Sequence, residues 1–126
     1  MDFVKGEECI ELGDAEYTLT PSFETARIIE SFPDGSVYGI IVRIAASNFK
    51  LKDIQMVVYG ALRASGKDLS FEQVGKLVFN KGVGDLIGPV QRLCAAMAFG
   101  DESDSEAKSK SKSSSALSED ADSKKN

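Results

Sequence analysis

The sequence predicts an α+β domain in which an N-terminal β-hairpin packs on about five short α-helices, followed by a disordered C-terminal tail. Two short runs near the N-terminus alternate polar and apolar residues around a Gly-Asp pair. Apolar residues then recur at helical spacing as far as about residue 99, and the composition changes abruptly at Gly100. The 126-residue chain is therefore expected to consist of a folded domain, residues 1–100, and a tail, residues 101–126.

The hairpin is predicted from "EECIEL" and "AEYTLT", two alternating segments joined by "GDA". Gly-Asp is a common two-residue connection between antiparallel strands. Because a hairpin alone is only marginally stable in water, we expect it to pack on the helices that follow. Its acidic residues are expected to lie on an exposed, solvated face and turn rather than to bind a metal; they are Glu7, Glu8, Glu11 and Asp14.

The first helix is predicted in "FETARIIESF", after Pro21 closes the second strand. Ser22 is suited to cap its N-terminus, and Glu24 is favourable in its first turn. The turn signal "PDG" ends this helix. Its apolar face is expected to contain Phe23, Ala26, Ile29 and Phe32.

The next segment, "SVYGIIVRIAASN", fits a helix or a strand. Ser36 can cap a helix, but the β-branched residues of the segment favour a strand equally well. The apolar positions at helical spacing are Val37, Ile40, Ile41, Ile44 and Ala45.

The remaining helices have clearer signals. Residues 51–64 carry an amphipathic stripe, and Gly66 follows where a left-handed C-cap is expected. Ser70 and Gln73 form a capping box before "FEQVGKLVFNK". A fifth helix is predicted from about residue 85 to residue 99, with Asp85 as its N-cap and Pro89 in its first two turns. The stripe of residues 51–64 consists of Ile54, Val57, Val58, Ala61 and Leu62.

The glycines in "VFNKGVGDLIGPV" invite comparison with a phosphate-binding loop. A dinucleotide fingerprint requires a strand before the glycines, and a P-loop requires a Gly-Lys-Ser or Gly-Lys-Thr sequence. Here the preceding segment follows a capping box and has helical spacing, so we interpret Gly82 as a helix C-cap. The sequence therefore predicts a turn between two helices instead of a nucleotide site.

The composition leaves few routes to catalysis. There is no histidine, and Cys9 and Cys94 are isolated, so neither a cysteine–histidine pair nor a histidine metal site can form. We predict no enzymatic activity, no cofactor and no metal. No apolar run is long enough for a signal peptide or a membrane span, and a cytoplasmic location in a bacterial host is expected.

The charge distribution argues against a nucleic-acid partner, since the folded part carries a net charge of −3. Residues 51–64 and 71–81 resemble a helix-turn-helix in outline, but the second helix offers only two basic residues, and paired core helices are the simpler interpretation. The tail, residues 101–126, contains seven acidic residues and five lysines, with "KSKSK" between two acidic blocks. Such a composition is typical of disorder.

Two motifs carry a resemblance to a known family. The first runs from Gly6 to Glu24 as GE-x-x-I-x-L-x-x-x-x-Y-x-L-x-P-S-F-E; the second includes "LSFEQVGKLV" and "GPV". Together they resemble the gene-transfer-agent type of phage tail assembly chaperone, a family also labelled tail tube protein. The resemblance implies a non-enzymatic assembly factor that binds the tape-measure protein and assists addition of the tail tube protein. An alternative is a structural tail component that stays in the particle, and a third is a small helix-turn-helix regulator.

Three apolar residues are candidates for partner contact, with packing against the hairpin as the alternative for each, because they lie off the predicted core stripes or at the end of the last helix. They are Ile28, Phe49 and Phe99. A small helical domain with such positions on its surface can hold an amphipathic helix of a partner in a groove.

Overall fold

A computed structural model describes residues 6–100 of the chain. In it, a two-stranded hairpin precedes five helices, which confirms the predicted α+β architecture. The segment compatible with a helix or a strand is a helix. The predicted disordered tail lies outside the described residues. The elements are β1 (Glu8–Leu12), β2 (Ala15–Leu19), α1 (Phe23–Glu30), α2 (Val37–Ala45), α3 (Leu51–Ala64), α4 (Phe71–Lys81) and α5 (Val83–Phe99).

The hairpin is antiparallel, and Leu12 pairs with Ala15 next to a two-residue turn. Gly13, the first turn residue, has a φ of +62°, as a type II′ turn requires at this position. Alternate residues of both strands face the helices. Ile10, Leu12 and Leu19 are buried there, so the hairpin forms one side of the core.

Helix α3 is the centre of the domain. Its predicted apolar stripe is confirmed, because all five members are buried. Helices α1, α4 and α5 and strand β2 all pack on α3. Gly60 lets α1 approach closely, since a Cβ atom at this position would lie 2.8 Å from Cγ1 of Ile29.

The predicted serine caps are confirmed. The hydroxyl groups of Ser22, Ser36 and Ser70 each accept a hydrogen bond from a backbone N–H in the first turn of the next helix. The side chain of Gln73 accepts a hydrogen bond from the Ser70 N–H at 2.8 Å, which completes the capping box. Gly66 has a φ of +91°, the conformation expected after the end of α3.

Two assignments on the helix faces were wrong. Phe23 is 82% exposed, and Thr25 is buried in its place. Each residue of an α-helix turns by about 100° around the helix axis, so Phe23, six residues before Ile29, points about 120° away from it. Thr25, four residues before Ile29, points only about 40° away from it. The Thr25 hydroxyl satisfies its buried position by donating to the Thr20 carbonyl at 2.9 Å. Ala45, at the last position of α2, is also exposed.

The start of α5 also differs from the prediction. The helix begins at Val83, so Asp85 lies in its first turn and is not the cap. Gly82 ends α4 and immediately precedes α5, with a φ of +95° that glycine adopts without strain. The predicted C-cap at Gly82 is confirmed, and a helix rather than a strand precedes the glycines.

Candidate partner-binding surfaces

An open groove lies between the start of α3 and the exposed face of α4. It has a volume of about 460 Å³. Two apolar side chains flank it: Leu51, 40% exposed, and Phe79, 70% exposed. The lining residues are Leu51, Gln55, Glu72, Gly75, Lys76, Phe79 and Asn80. We call this the α3–α4 groove.

The α4 side of the groove is a second stripe of that helix. The lining positions 72, 75, 76, 79 and 80 follow the i, i+3, i+4, i+7, i+8 spacing of one helical face. Val74 and Val78 face the core instead. The stripe extends over about 12 Å, which corresponds to two turns of a partner helix.

Gly75 and Gln55 form the floor of the groove. The Gln55 amide Nε2 donates to the Phe71 carbonyl at 2.8 Å. A Cβ atom on Gly75 would lie 2.4 Å from that nitrogen, so the hydrogen bond in its present position requires glycine at 75. The Gln55 amide group therefore occupies the space that a side chain at residue 75 would fill.

A buried ion pair fixes the start of α3, and with it Leu51 and Gln55. The Arg43 guanidinium donates to both carboxylate oxygens of Asp53, at 3.0 and 2.8 Å, and the Lys50 N–H donates at 3.0 Å. Burial by itself raises the pKa of Asp53, but these hydrogen bonds outweigh it and hold the pKa below its ordinary value. The pair therefore joins α2 to α3 as charged groups.

A second apolar surface lies where α2 meets α5. Tyr38, Val42 and Phe99 are exposed there. The rings of Tyr38 and Phe99 make an edge-to-face contact with centroids 6.0 Å apart. This surface contains one of the three predicted partner residues.

The three predicted partner residues lie in three separate parts of the fold. Ile28 is half-buried on α1, and Phe49 is half-buried before α3, where it packs against the core. Phe99 is 52% exposed at the end of α5. Their role in binding stays a prediction. Phe79 was not among the partner residues predicted from the sequence. It lies off the Val74–Val78 stripe of α4, so the criterion of a position outside the core stripes would also have selected it.

The described residues offer little that suggests catalysis. Within residues 6–100, no group of three or more acidic or cysteine side chains is placed to hold a metal ion. Burial raises the pKa of the Cys94 thiol to about 12, which keeps it protonated and unreactive at neutral pH. None of the five helices is long and apolar enough to cross a membrane.

The acidic residues of the hairpin differ from the expected uniform solvation. Glu8 turns towards α5, where its carboxylate accepts two hydrogen bonds from Arg92 at 3.0 Å.

Helices α3 and α4, which resemble a helix-turn-helix in outline, pack on each other as core helices. In α4, which would be the recognition helix, the Gln73 side chain is occupied by the hydrogen bond of the capping box.

Comparison with known proteins gives one match. Residues 5–100 match the family described as phage tail tube protein, GTA-gp10. No curated protein and no solved structure is detectably similar to the chain. The matched region includes both sequence motifs and all seven structural elements.

Proposed function

The chain belongs to the phage tail tube protein family of the GTA-gp10 type, and from this membership we propose that it is a non-enzymatic tail assembly chaperone. In this role it binds an amphipathic helix of the tape-measure protein and assists assembly of the tail tube around it. Family membership supports only a phage-tail-related role. The chaperone assignment rests in addition on the α3–α4 groove.

The groove supports this proposal because it has the features that a partner helix requires. It is open along two helical turns of α4, and Leu51 and Phe79 lie at its sides. Exposed apolar residues beside a groove are typical of proteins that bind one face of an amphipathic helix.

Phe79 should supply much of the binding energy. Burial of its exposed 70% would contribute at most roughly 3–4 kcal/mol, given the area of a phenylalanine and about 25 cal/mol per Å². Part of this is offset by ordering of the partner. We therefore expect Phe79→Ser to weaken binding to the tape-measure protein at least about tenfold, or 1.4 kcal/mol.

Phe23→Ser is the matched control, because Phe23 is also a highly exposed phenylalanine but lies on α1, outside the groove. Both variants should keep the thermal stability of the wild type, since neither side chain is buried. Affinity is measured by titration of each purified variant with a soluble helical segment of the tape-measure protein. Equal affinities for the two variants would exclude the α3–α4 groove as the binding site.

A structural component of the finished tail is the second candidate, and the description of the family as tail tube protein favours it. The two roles differ in where the chain is found after assembly. A structural component remains in purified particles in many copies, whereas an assembly chaperone is absent from them. Quantitative mass spectrometry of purified particles distinguishes the two.

A further inference from the structure

The floor of the α3–α4 groove contains a hydrogen-bond acceptor whose position is fixed. The Gln55 amide nitrogen donates to the Phe71 carbonyl at 2.8 Å. A Cβ atom on Gly75 would lie 2.8 Å from the Gln55 amide carbon and 3.3 Å from its oxygen, so the whole amide lies against α4 at this residue. Among the hydrogen bonds within residues 6–100, none involves the Gln55 oxygen. This oxygen can therefore accept a hydrogen bond from a partner.

A partner that fills the groove has to satisfy this oxygen. Gln55 is half-buried and lines the groove, and a helix that packs there takes its amide out of contact with water. A buried acceptor without a donor weakens binding more than an ordinary hydrogen bond strengthens it. Asn80, the other amide side chain that lines the groove, is exposed and can stay hydrated at the rim. Gln55 therefore restricts which residue of a partner can lie over the floor.

The charges beside the floor favour an uncharged donor. Glu72 and Lys76 line the same face of α4 and form an exposed pair at 3.8 Å. A carboxylate of the partner would meet the charge of Glu72, and a cationic side chain would meet that of Lys76. The side-chain amides of asparagine and glutamine carry two N–H donors and no charge, and they reach further than the hydroxyl groups of serine and threonine. Charge complementarity therefore indicates an amide of the partner over Gln55.

The apolar side chains of the groove lie one helical turn from the floor. Leu51 precedes Gln55 by four residues on α3, and Phe79 follows Gly75 by four residues on α4. Four residues correspond to about 6 Å along either helix. Residues three or four apart in a partner helix lie on one face at a similar separation. The groove therefore fits a helix with an apolar residue and an amide residue one turn apart.

We propose that the α3–α4 groove preferentially binds a helix in which asparagine or glutamine lies one turn from an apolar residue. The partner's amide donates to Oε1 of Gln55, and the apolar residue packs against Leu51 and Phe79. This inference rests on the proposed function, because it concerns the same groove and the same kind of partner. It adds that Gln55 determines the register and the sequence of the bound helix.

Titration with the soluble helical segment of the tape-measure protein tests the role of Gln55. Gln55→Met nearly keeps the length of the side chain but removes the acceptor, so it should weaken binding roughly two- to tenfold. Gln91→Met is the matched control, since Gln91 is also half-buried but lies on α5, outside the groove. This control should bind with the affinity of the wild type.

Replacement of each asparagine and glutamine of the segment by leucine, one at a time, then identifies the donor. One of these replacements should weaken binding to the wild type but have little effect on binding to Gln55→Met, because the two amides act as a pair. A general loss of structure in Gln55→Met would not produce this coupling. In the complex with the wild type, an intermolecular NOE should connect the Gln55 side chain with the same amide of the segment.

Three results would overturn the proposal and leave the proposed function intact, provided that Phe79→Ser still weakens binding. Gln55→Met could bind the segment as tightly as the wild type does. Every replacement in the segment could weaken binding to both proteins equally. The NOE could be absent from the wild-type complex, a result that counts even if Gln55→Met does not fold. By contrast, a complete lack of binding to the segment would contradict the proposed function, and this inference with it.

Discussion

Replacement of Asp53 by asparagine should destabilise the domain more than any surface charge change. The Asp53 side chain is 5% exposed, and Arg43 is 32% exposed. Loss of one partner from a buried ion pair costs about 3–5 kcal/mol, because the other charge is left without compensation. Partial hydration of Arg43 lowers this cost, and asparagine can still accept the Lys50 hydrogen bond. We therefore expect Asp53→Asn to reduce the free energy of unfolding by about 2–3 kcal/mol at neutral pH.

The effect should depend on pH with a defined sign. The pKa of Asp53 is lowered in the folded state, so the unfolded chain binds more protons at acidic pH. The stability due to this carboxylate is fully present above the ordinary aspartate pKa of about 3.9 and is lost as the pH falls through the folded pKa. The difference between wild type and Asp53→Asn should therefore shrink below about pH 4.

Urea denaturation at several pH values measures both effects. Glu72→Gln is the matched control, since it removes one exposed carboxylate paired with Lys76 at 3.8 Å, and such pairs contribute about 0.5 kcal/mol or less. If Asp53→Asn were as stable as Glu72→Gln at neutral pH, the ion pair would not anchor α3 as argued. A loss that stays constant from neutral pH to pH 3 would contradict the charged state of Asp53.

Two other predictions concern the core. Gly60→Ala should destabilise the domain by about 1–3 kcal/mol in thermal or urea unfolding, because the added methyl group would meet Ile29 in a packed interface; stability equal to the wild type would contradict the close approach of α1 and α3. Cys9 is exposed and Cys94 is buried, so a thiol reagent should modify one thiol rapidly in native protein and the second only on unfolding. Rapid modification of both thiols in native protein would show that the core around Cys94 opens readily.

The elements and caps could be predicted from the sequence because their signals are local. The stripe of α3, the serine caps and the Gly13 and Gly82 conformations each depend on a few neighbouring residues. Phe23 was misassigned because its environment depends on which face of α1 meets α3. Single-helix spacing does not determine that face when apolar residues lie around much of a short helix.

The candidate groove could be predicted only in part. Phe79 lies off the core stripe of α4, which the sequence shows, but Leu51 and Gln55 reach the same surface through the packing of α3 on α4. The role of Gly75 depends on a contact with Gln55, twenty residues earlier. Such juxtapositions follow from tertiary packing and have no local signal.

Co-expression with the tape-measure protein of the same gene cluster tests the proposed function most directly. Size-exclusion chromatography of the affinity-purified complex then shows whether the two proteins elute together. We predict a soluble complex with many copies of this chain per tape-measure protein. The tape-measure protein should stay soluble only when the chain is co-expressed with it. If the chain elutes alone and the tape-measure protein aggregates regardless, the chaperone assignment is contradicted, and a structural role in the tail becomes the better account.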